Sequence, residues 1–492
     1  MKMRIFTGVV SAALAGALLA GVVKADDGLQ VPDKLSGPNV SQVIAYSQKQ
    51  IAIEHVRVID GTGAPARENQ TVLIANGKIA MVGPSGAMHV ASGAAVIDGT
   101  GKSLMPGIVG THDHLYYDSG GPLFIVREMP FSFPRLYLAA GVTTIRTTGS
   151  IEPYTDLHIK MSIEKGEMAG PHMDVTSPYL TGWEPFFVQM YPLHTPAEAR
   201  ATVNFWADRG MTSFKMYTNM PPAIARAVVA AAHARHLKVL GHLCSIGLTA
   251  AANMGVDSLE HGLFVDTEFT PGRKEGECPS DSLAVRKSLA ALDVNGPQLQ
   301  TLLKLLVRKH IEISSTLANF EGANPQPLAV EQRYWDLEDP ETVTDVQKSR
   351  AAAEKRSAEA IELSHKVFDV TRKFEIAFFR AGGLLTQGPD PTGYGSTIAG
   401  LGDQRDMELL VEGGLTPLEA IKVATLNGAI GLGIEKKTGS IVPGKAADLV
   451  LIDGDPSKNI SDVEKVVTVF KDGIGYDSAK LLESLKGIVG RQ

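Results

Sequence analysis

The strongest constraint on the fold of this chain is an alternation of apolar strands with helical stretches between Met105 and about Gly431. A helical pattern from Pro196 to Arg209 precedes a strand at Ser213 to Tyr217, and another from Pro221 to His236 precedes a strand at Lys238 to His242. Repeated units of this kind predict a parallel sheet, either open or closed into a barrel. The segment exceeds an ordinary eight-stranded barrel of about 250 residues, so long insertions are expected. We place them at Thr267–Gly296, rich in charge, Pro and Gly, and in the charged helical tract Glu331–Lys366.

The two ends of the chain have β character instead. Short alternating runs fill residues 51–104, and Asn76-Gly77 between two of them is a strong hairpin signal. The tail has a turn at Gly439 that leads into a buried strand, followed by a second predicted strand at Val463–Lys471. Because these segments flank the βα core, we expect them to pair as one discontinuous domain. The predicted boundaries are a signal at 1–25, a linker at 26–49, a β-sandwich from 50–104 and 432–480, and the βα core at 105–431.

Residues 1–25 have the pattern of a cleaved secretory signal. Lys2 and Arg4 precede an apolar stretch from Ile5 to Val23, and small residues stand at Val23 and Ala25. The apolar run is about as long as a short membrane span, so an uncleaved anchor is the alternative. The pattern favours a secreted or periplasmic protein without membrane attachment after cleavage.

The composition limits the classes of partner that the protein is expected to bind. The chain has 492 residues and a formal net charge of −7, and loss of the signal removes three positive charges, which leaves −10. An acidic chain without basic runs interleaved with aromatic residues does not favour nucleic acid binding. The two cysteines, Cys244 and Cys278, could pair in an oxidising compartment, or Cys244 could be a buried free thiol. A small-molecule substrate is the expected partner. The sequence leaves open whether the chain forms a homo-oligomer.

Side chains that bind metals stand where the predicted strands end. His112 and His114 follow the apolar run from Met105, and side chains at i and i+2 of a strand share one face about 7 Å apart. This pair alone is a weak signal, because two strand-end histidines can simply be hydrogen-bonded polar residues. In a βα barrel the C-terminal strand ends meet at one face, where nitrogen and oxygen ligands suit Zn²⁺ and similar ions. The further candidates are Lys215, His242, His261 and Asp390.

In this order along the chain, the candidates and three further motifs resemble the amidohydrolase superfamily. The motifs are Asp60-Gly-Thr-Gly63, Ala424-Thr425-Leu426-Asn427-Gly428-Ala429 and the segment Gly439–Asp448. The resemblance runs from about residue 51 to 475 and points to the imidazolonepropionase-like and Xaa-Pro dipeptidase-like secreted branch. It implies an α/β fold, with a distorted TIM (β/α)8 barrel and a small β-sandwich built from both chain ends.

The resemblance also implies a role for each candidate. A first metal ion would be bound by His112, His114 and Asp390, a second by His242 and His261, and a carboxylated Lys215 would bridge the two. Two metals about 3.5–4 Å apart can share a hydroxide, lower its pKa and polarise a scissile carbonyl. Asp390 would then accept the hydroxide proton and pass it to the leaving nitrogen. The expected cofactor is therefore two divalent metal ions, with zinc as the first choice.

Two segments depart from the pattern of the superfamily. Many relatives have Arg-Asp after the second strand and Gly-Gly-His after the third, whereas here Arg146 is followed by Thr147 and the third segment reads Thr181-Gly-Trp183-Glu184. These positions face substrate, so the resemblance does not fix the substrate class. A mononuclear deaminase is disfavoured, because such enzymes have His-x-x-Glu after the strand that carries His242, and position 245 is Ser.

Four residues near predicted strand ends are candidates for binding a substrate carboxylate. An arginine can form two hydrogen bonds with a carboxylate and a tyrosine one, as a dipeptidase requires. The alternative is structural, since aromatic residues beside strands usually belong to the core and the arginine could form an ion pair. The four are Arg146, Tyr116, Tyr117 and Tyr217.

The sequence therefore predicts a secreted binuclear amidohydrolase that cleaves a C–N bond through a metal-bridging hydroxide. A dipeptide, an N-acyl amino acid or a cyclic amide is the expected substrate. A lactonase or another ester hydrolase is the alternative within enzymes, because the same hydroxide attacks esters. A binding protein that has lost catalysis is the alternative of another class, although no expected ligand is missing.

Overall fold

The structure is a computed structural model. It describes most of the residues that follow the N-terminal segment. The predicted signal lies outside the described residues, as does the first part of the predicted linker. Within the described ranges, no helix has both the length and the apolar character needed to cross a membrane. The described residues are 38–87, 90, 92–118, 126–183, 185–322, 331–392 and 397–490.

The secondary structure alternates between strands and helices after a strand-rich start. The strands are β1 (Ile44–Tyr46), β2 (Gln50–Val58), β3 (Arg67–Ala75), β4 (Lys78–Pro84), β5 (Ala95–Asp98), β6 (Ser103–Pro106), β7 (Ile108–Gly110), β8 (Tyr116–Asp118), β9 (Val126–Glu128), β10 (Val142–Arg146), β11 (His172–Asp174), β12 (Leu180–Thr181), β13 (Tyr191–Pro192), β14 (Ser213–Met216), β15 (Lys238–Gly241), β16 (Ser258–Glu260), β17 (Glu312–Ser315), β18 (Leu384–Gln387), β19 (Leu449–Ile452), β20 (Val466–Lys471) and β21 (Ile474–Asp477). The helices are α1 (Pro38–Ser41), α2 (Ser132–Ala139), α3 (Pro153–Glu164), α4 (Pro196–Ala207), α5 (Pro222–His233), α6 (Leu248–Met254), α7 (Ser282–Ala290), α8 (Pro297–Arg308), α9 (Leu317–Gly322), α10 (Glu331–Trp335), α11 (Pro340–Glu354), α12 (Ala358–Arg380), α13 (Leu401–Glu412), α14 (Pro417–Lys422), α15 (Gly428–Leu432) and α16 (Ser478–Glu483).

The βα core contains two sheets of parallel strands, as the alternating pattern predicts. One has the strand order β11-β10-β7 and the other β13-β12-β14-β15-β16-β17-β18. Hydrogen bonds join the two sheets at two places. After β11, Ser177 N donates to Ser213 O of β14 at 2.9 Å, and next to β7, Thr111 N donates to Gln387 O of β18 at 2.9 Å. Because the strands are parallel, their C-terminal ends lie at a common face of the core.

The two predicted insertions contain helices. Thr267–Gly296 includes α7, whose N-terminus is capped by Asp281 through a hydrogen bond from Ala284 N at 3.0 Å. The charged tract Glu331–Lys366 forms α10, α11 and the first part of α12. The helical prediction for this tract agrees with the structure, and α7 and α12 pack against each other beside the C-terminal ends of the strands.

Strands from both ends of the chain form one nine-stranded sheet in the order β1-β21-β20-β19-β6-β2-β3-β4, with β5 paired to β2. The first half of β2 pairs with β5 and its last residues pair with β6, so the sheet divides along β2. Its buried residues, among them Ile53, Val72 and Phe470, form a hydrophobic core separate from that of the βα region. The segment predicted as a linker to residue 49 already contains α1 and β1, and β1 pairs with β21.

The three motifs that carry the family resemblance pack together. Ile441 N donates to Asp60 O at 3.0 Å, which joins the Asp60–Gly63 turn to the tail. Gly61 has a φ of +85°, and a Cβ there would lie 2.8 Å from Gly439 O and 3.1 Å from Thr425 Oγ1. A residue with a side chain would meet both backbone strain and a steric clash at this position. The glycine therefore lets the two chain ends and the helix region after α14 approach one another.

Candidate metal centre

The six predicted ligands lie at the C-terminal ends of the parallel strands or just after them. His112 and His114 follow β7, and Lys215 lies in β14. The remaining three follow β15, β16 and β18, namely His242, His261 and Asp390. Because every strand end faces the same side of the core, residues distant in the chain are brought together there.

Three of the four histidines lie close to Asp390, and the fourth, His242, contacts His261. Asp390 Oδ1 lies 2.9 Å from His114 Nε2 and 3.8 Å from His112 Nε2, and Asp390 Oδ2 lies 3.9 Å from His261 Nδ1. The ring nitrogens His261 Nε2 and His242 Nδ1 are 2.9 Å apart. Within the described residues, ligand atoms of His112, His261 and Asp390 all lie within 4.8 Å of one another, which is compatible with a shared metal ion.

Burial controls the protonation of these imidazoles. Together with the nearby charge of Lys215, burial lowers the pKa of His242 to about 3. Burial and Lys215 likewise hold the pKa of His112 well below its usual value, and burial and His242 do so for His261. Burial also lowers the pKa of His114, although its hydrogen bond to Asp390 opposes this. Neutral imidazoles are the form that binds metal ions.

Lys215 is fully buried among these residues. In the described part of the chain, its Nζ has no hydrogen-bond partner. Burial lowers the pKa of Lys215 to about 8, although Glu260 and Asp390 both raise it. A buried amine without a hydrogen bond is costly unless a further group pairs with it. A lysine with a lowered pKa is also more often the neutral amine that can capture CO₂. The donor set therefore fits the binding of a divalent cation beside Lys215.

Several neighbouring residues hold the predicted ligands in place, and the sequence did not single them out. Glu260 Oε2 lies 2.5 Å from His112 Nδ1, and Thr316 Oγ1 lies 2.8 Å from His261 Nδ1. Asn319 Nδ2 donates to Asp390 Oδ2 at 2.5 Å. The sequence could have indicated Glu260 as a supporting residue, because it stands directly before His261 at a strand end. Thr316 and Asn319 follow β17, and the end of this strand has no His, Asp or Lys that would indicate a metal site in the sequence.

Two of the candidate substrate-binding tyrosines contact the histidines. The ring centroids of Tyr217 and His242 are 4.5 Å apart, and those of Tyr116 and His114 are 4.6 Å apart. Tyr116 and Tyr179 share a hydrogen bond of 2.5 Å between their hydroxyls, and the Tyr179 hydroxyl lies 3.3 Å from His114 Nε2. These tyrosines therefore form an aromatic wall beside the histidines.

The other two candidates point into the core. Tyr117 donates its hydroxyl to Thr397 O at 3.0 Å and packs edge-on against Phe133. Arg146 is 1% exposed, donates from Nη2 to Gly431 O at 3.1 Å and lies 3.8 Å from Glu312 through Nη1. These contacts support the structural alternative for both residues, so the prediction that they bind a substrate carboxylate gains no support from the structure.

The sequence of this chain is similar to known proteins over short segments. The model of the amidohydrolase family matches residues 386–474. An enamidase of Eubacterium barkeri is 33% identical over 87 residues, which are 18% of this chain and 22% of that protein. An imidazolonepropionase of Stenotrophomonas maltophilia is 30% identical over 102 residues, which are 20% of this chain and 25% of that protein. The matched segments thus span about a quarter or less of these curated relatives.

Solved structures extend the similarity over most of the chain. A Xaa-Pro dipeptidase with methionine bound in its active site has a TM-score of 0.64 at 21% identity, covering 87% of this chain and 100% of that chain. The resemblance to the amidohydrolase superfamily is confirmed. An ochratoxinase of A. niger gives a TM-score of 0.62 at 18% identity, covering 87% of this chain and 95% of that chain. At these identities the neighbours show the shared superfamily fold alone.

The match to the family model covers only part of the candidate site. The matched residues 386–474 include Asp390, the Ala424–Ala429 motif and the Gly439–Asp448 segment. The histidines and Lys215 lie before this stretch, so their grouping rests on the geometry of the structure. The superfamily is metal-dependent, and the donor set agrees with that property.

Proposed function

We propose that this protein is a secreted, binuclear metal-dependent hydrolase that cleaves a C–N bond in a dipeptide, an N-acyl amino acid or a cyclic amide. The single observation that carries the proposal is a cluster in which the buried His112, His114 and His261 lie close to Asp390, His242 contacts His261, and the buried Lys215 lies among them. The hydrogen bonds that join the two parallel sheets support a closed, distorted (β/α)8 barrel as the scaffold. The sheet built from both chain ends supports an accompanying β-sandwich.

Each residue of the centre has a proposed task. His112, His114 and Asp390 would hold one divalent cation, His242 and His261 would hold a second, and a carboxylated Lys215 would supply a ligand to the pair. When bound, the cations polarise the scissile carbonyl and acidify a water molecule.

Asp390 provides the proton transfer. Burial raises its pKa, but His112, His114 and Lys215 lower it more, so the side chain is a carboxylate at neutral pH. Asn319 and His114 fix its two oxygens in position. The carboxylate accepts a proton from the attacking water and delivers it to the leaving nitrogen, which must be protonated to depart as an amine. The Tyr116 and Tyr217 rings restrict the approach of solvent to the histidines.

Secretion is part of the proposal because two features favour it. The first is the signal-like pattern of residues 1–25. The second is a disulfide bond between Cys244 and Cys278, which decides between the two alternatives left open for these cysteines. Disulfide bonds persist in oxidising compartments and are rare in the cytosol.

Lys215→Ala tests the binuclear centre. We expect wild-type protein loaded with Zn²⁺ to hold about two metal ions per chain and to hydrolyse members of a panel of N-acyl amino acids and X-Pro or X-Arg dipeptides. Without its bridging group, the Lys215→Ala protein should lose metal and activity together, because two adjacent cations repel each other. Elemental analysis and amine release are the measurements, and Lys304→Ala, which changes an exposed lysine of α8, is the matched control.

Three outcomes contradict the proposal. Active wild-type protein with almost no bound metal excludes a metal-dependent reaction. A Lys215→Ala protein that keeps two metals and full turnover excludes the bridge. Faster hydrolysis of lactones than of any amide, at equal metal loading, would favour the ester hydrolase instead.

A further inference from the structure

An apolar cavity adjoins the candidate metal centre. Its volume is about 330 Å³, and His242 forms part of its lining. Ligand sites for small molecules span roughly 300 to 1,000 Å³, so this cavity is at the small end of that range. It has room for one group about the size of an amino acid beside the histidines.

The walls of the cavity are apolar and well anchored. Phe264, Leu289 and Val367 line it, together with the Cys244–Cys278 disulfide bond. Phe264 stacks on Phe320 with ring centroids 3.5 Å apart, which fixes its orientation. Walls of this kind favour an aliphatic or aromatic group through the burial of apolar surface.

One charged side chain, Arg286 of α7, interrupts the apolar lining. Its Nη1 donates to Ser364 Oγ of α12 at 2.6 Å, and Ser364 Oγ donates in turn to Ala360 O at 2.9 Å. The guanidinium is thus held between two helices. Because a guanidinium carries five N–H donors and this bond uses one, several donors are left for a ligand.

Arg286 lies close to a second cationic side chain. Burial and the neighbouring Arg356 both lower the pKa of Arg286. Glu359, on the adjacent helix, is paired with Lys287 at 2.8 Å. Among the described residues, no carboxylate oxygen comes within 4.0 Å of the Arg286 guanidinium. A half-buried cation beside a like charge favours an anionic ligand, and a carboxylate matches the guanidinium geometry with two parallel hydrogen bonds.

We propose that Arg286 binds a carboxylate of the substrate, so that the hydrolysed amide carries an apolar group of amino-acid size with a carboxylate. This inference rests on the proposed function, because it takes the His242 side of the cavity as the reacting side. It favours dipeptides and N-acyl amino acids over neutral cyclic amides. Arg286 thereby takes the specificity role that the sequence had suggested for Arg146.

Binding of two matched probes tests the inference without turnover. The probes are 4-phenylbutanoate and 5-phenylpentan-2-one, which have the same apolar chain but end in a carboxylate and a neutral ketone. With metal-loaded full-length protein, isothermal titration calorimetry should show the acid binding roughly 10- to 100-fold more tightly than the ketone. Arg286→Gln should reduce this preference to within about threefold, and Arg286→Lys should retain part of it. The control, Arg308→Gln, changes an exposed arginine of α8 and should leave the preference unchanged.

The outcomes separate this inference from the proposed function. Equal affinity of wild-type protein for acid and ketone overturns the inference, even if Arg286→Gln fails to fold. A preference that survives in folded Arg286→Gln protein also overturns it, because the acid then binds elsewhere, for example at the metals. A preference that depends on Arg286 in a protein that hydrolyses no amide supports the carboxylate site and refutes the proposed reaction.

Discussion

Asp390 has an unusual backbone conformation for the residue at the centre of a site. Its φ is 48° and that of His261 is 65°, both in the left-handed region that residues other than glycine seldom adopt. Such conformations cost of order 1–3 kcal/mol each and persist where the surroundings hold them. Asp390 N donates to His112 O at 3.0 Å, and Asn319 holds the carboxylate. The same contacts that keep the backbone strained therefore aim the carboxylate at the histidines.

Asp390→Asn tests the proposed proton transfer. Asparagine has the same size and also tolerates the left-handed conformation, so the thermal unfolding temperature should change little. Turnover should fall by roughly three or more orders of magnitude, because the amide cannot accept the proton and is a weaker ligand. Steady-state hydrolysis and circular dichroism are the measurements, with Asp208→Asn on the surface as the control. Activity within tenfold of wild type would show that another group moves the proton.

At this scale the sequence indicated the candidate ligands, which the structure brings together, but not the residues that hold them in place. His112, His114 and Asp390 could be singled out because each ends a predicted strand, and parallel strand ends must meet. The Asn319 and Thr316 contacts could not, because polar residues in a helix or loop have many equally plausible partners. Arg146 also ends a strand, and its Nη1 lies 3.8 Å from Glu312, which supports the structural alternative for this residue.

Among the elements, β11 is tied to the sheet of the chain ends by a cluster of charges. His172 Nε2 lies 3.2 Å from Asp472 Oδ2 and 3.8 Å from Asp448 Oδ1. Lys471 Nζ lies 3.5 Å from Asp472 Oδ2, so two cationic groups face two carboxylates. Burial and Lys471 lower the pKa of His172, but Asp472 and Asp448 raise it more, so that it stands at about 9.

The raised pKa of His172 predicts a pH-dependent stability. A group whose pKa is higher in the folded than in the unfolded protein stabilises the fold fully below its ordinary value of about 6.5, and this contribution disappears as the pH rises through about 9. Between pH 6 and 9.5, the free energy of unfolding should therefore fall by roughly 1–3 kcal/mol more in wild type than in His172→Gln. Urea unfolding measures this, and exposed His158→Gln should behave like wild type. Equal losses in wild type and His172→Gln would show that the cluster does not retain the extra proton.

The elements themselves followed from the sequence where their pattern is long. The predicted helix at Pro196–Arg209 is α4, Pro196–Ala207, and the predicted strand at Ser213–Tyr217 is β14, Ser213–Met216. The sequence did not predict β1, because a run of three residues is too short to show an alternation of apolar and polar side chains. It exists through its pairing with β21, and no local pattern reports a partner more than 400 residues away.

At the scale of the whole molecule, the sheet joins the beginning of the chain to its end. Deleting residues 439–492 removes β19, β20 and β21, which leaves β1 and β6 without these partners and exposes their edges. We expect insoluble protein, because unpaired edges associate with other chains. Supplying residues 432–492 as a separate fragment during expression should restore some soluble protein. Soluble and cooperatively unfolding truncated protein would show that the βα core does not need the tail.

The same pairing has a consequence for biosynthesis. β6 ends at Pro106 and its partner β19 begins at Leu449, so roughly 340 residues must be translated before the two can pair. At about 5–20 residues per second, a ribosome needs roughly 20 to 70 seconds for that stretch. Throughout this interval the nascent chain holds apolar strands that cannot complete their sheet. Translation of β19 and β21 thus decides when β6 and β1 can pair, and until then these two strands stay without these partners.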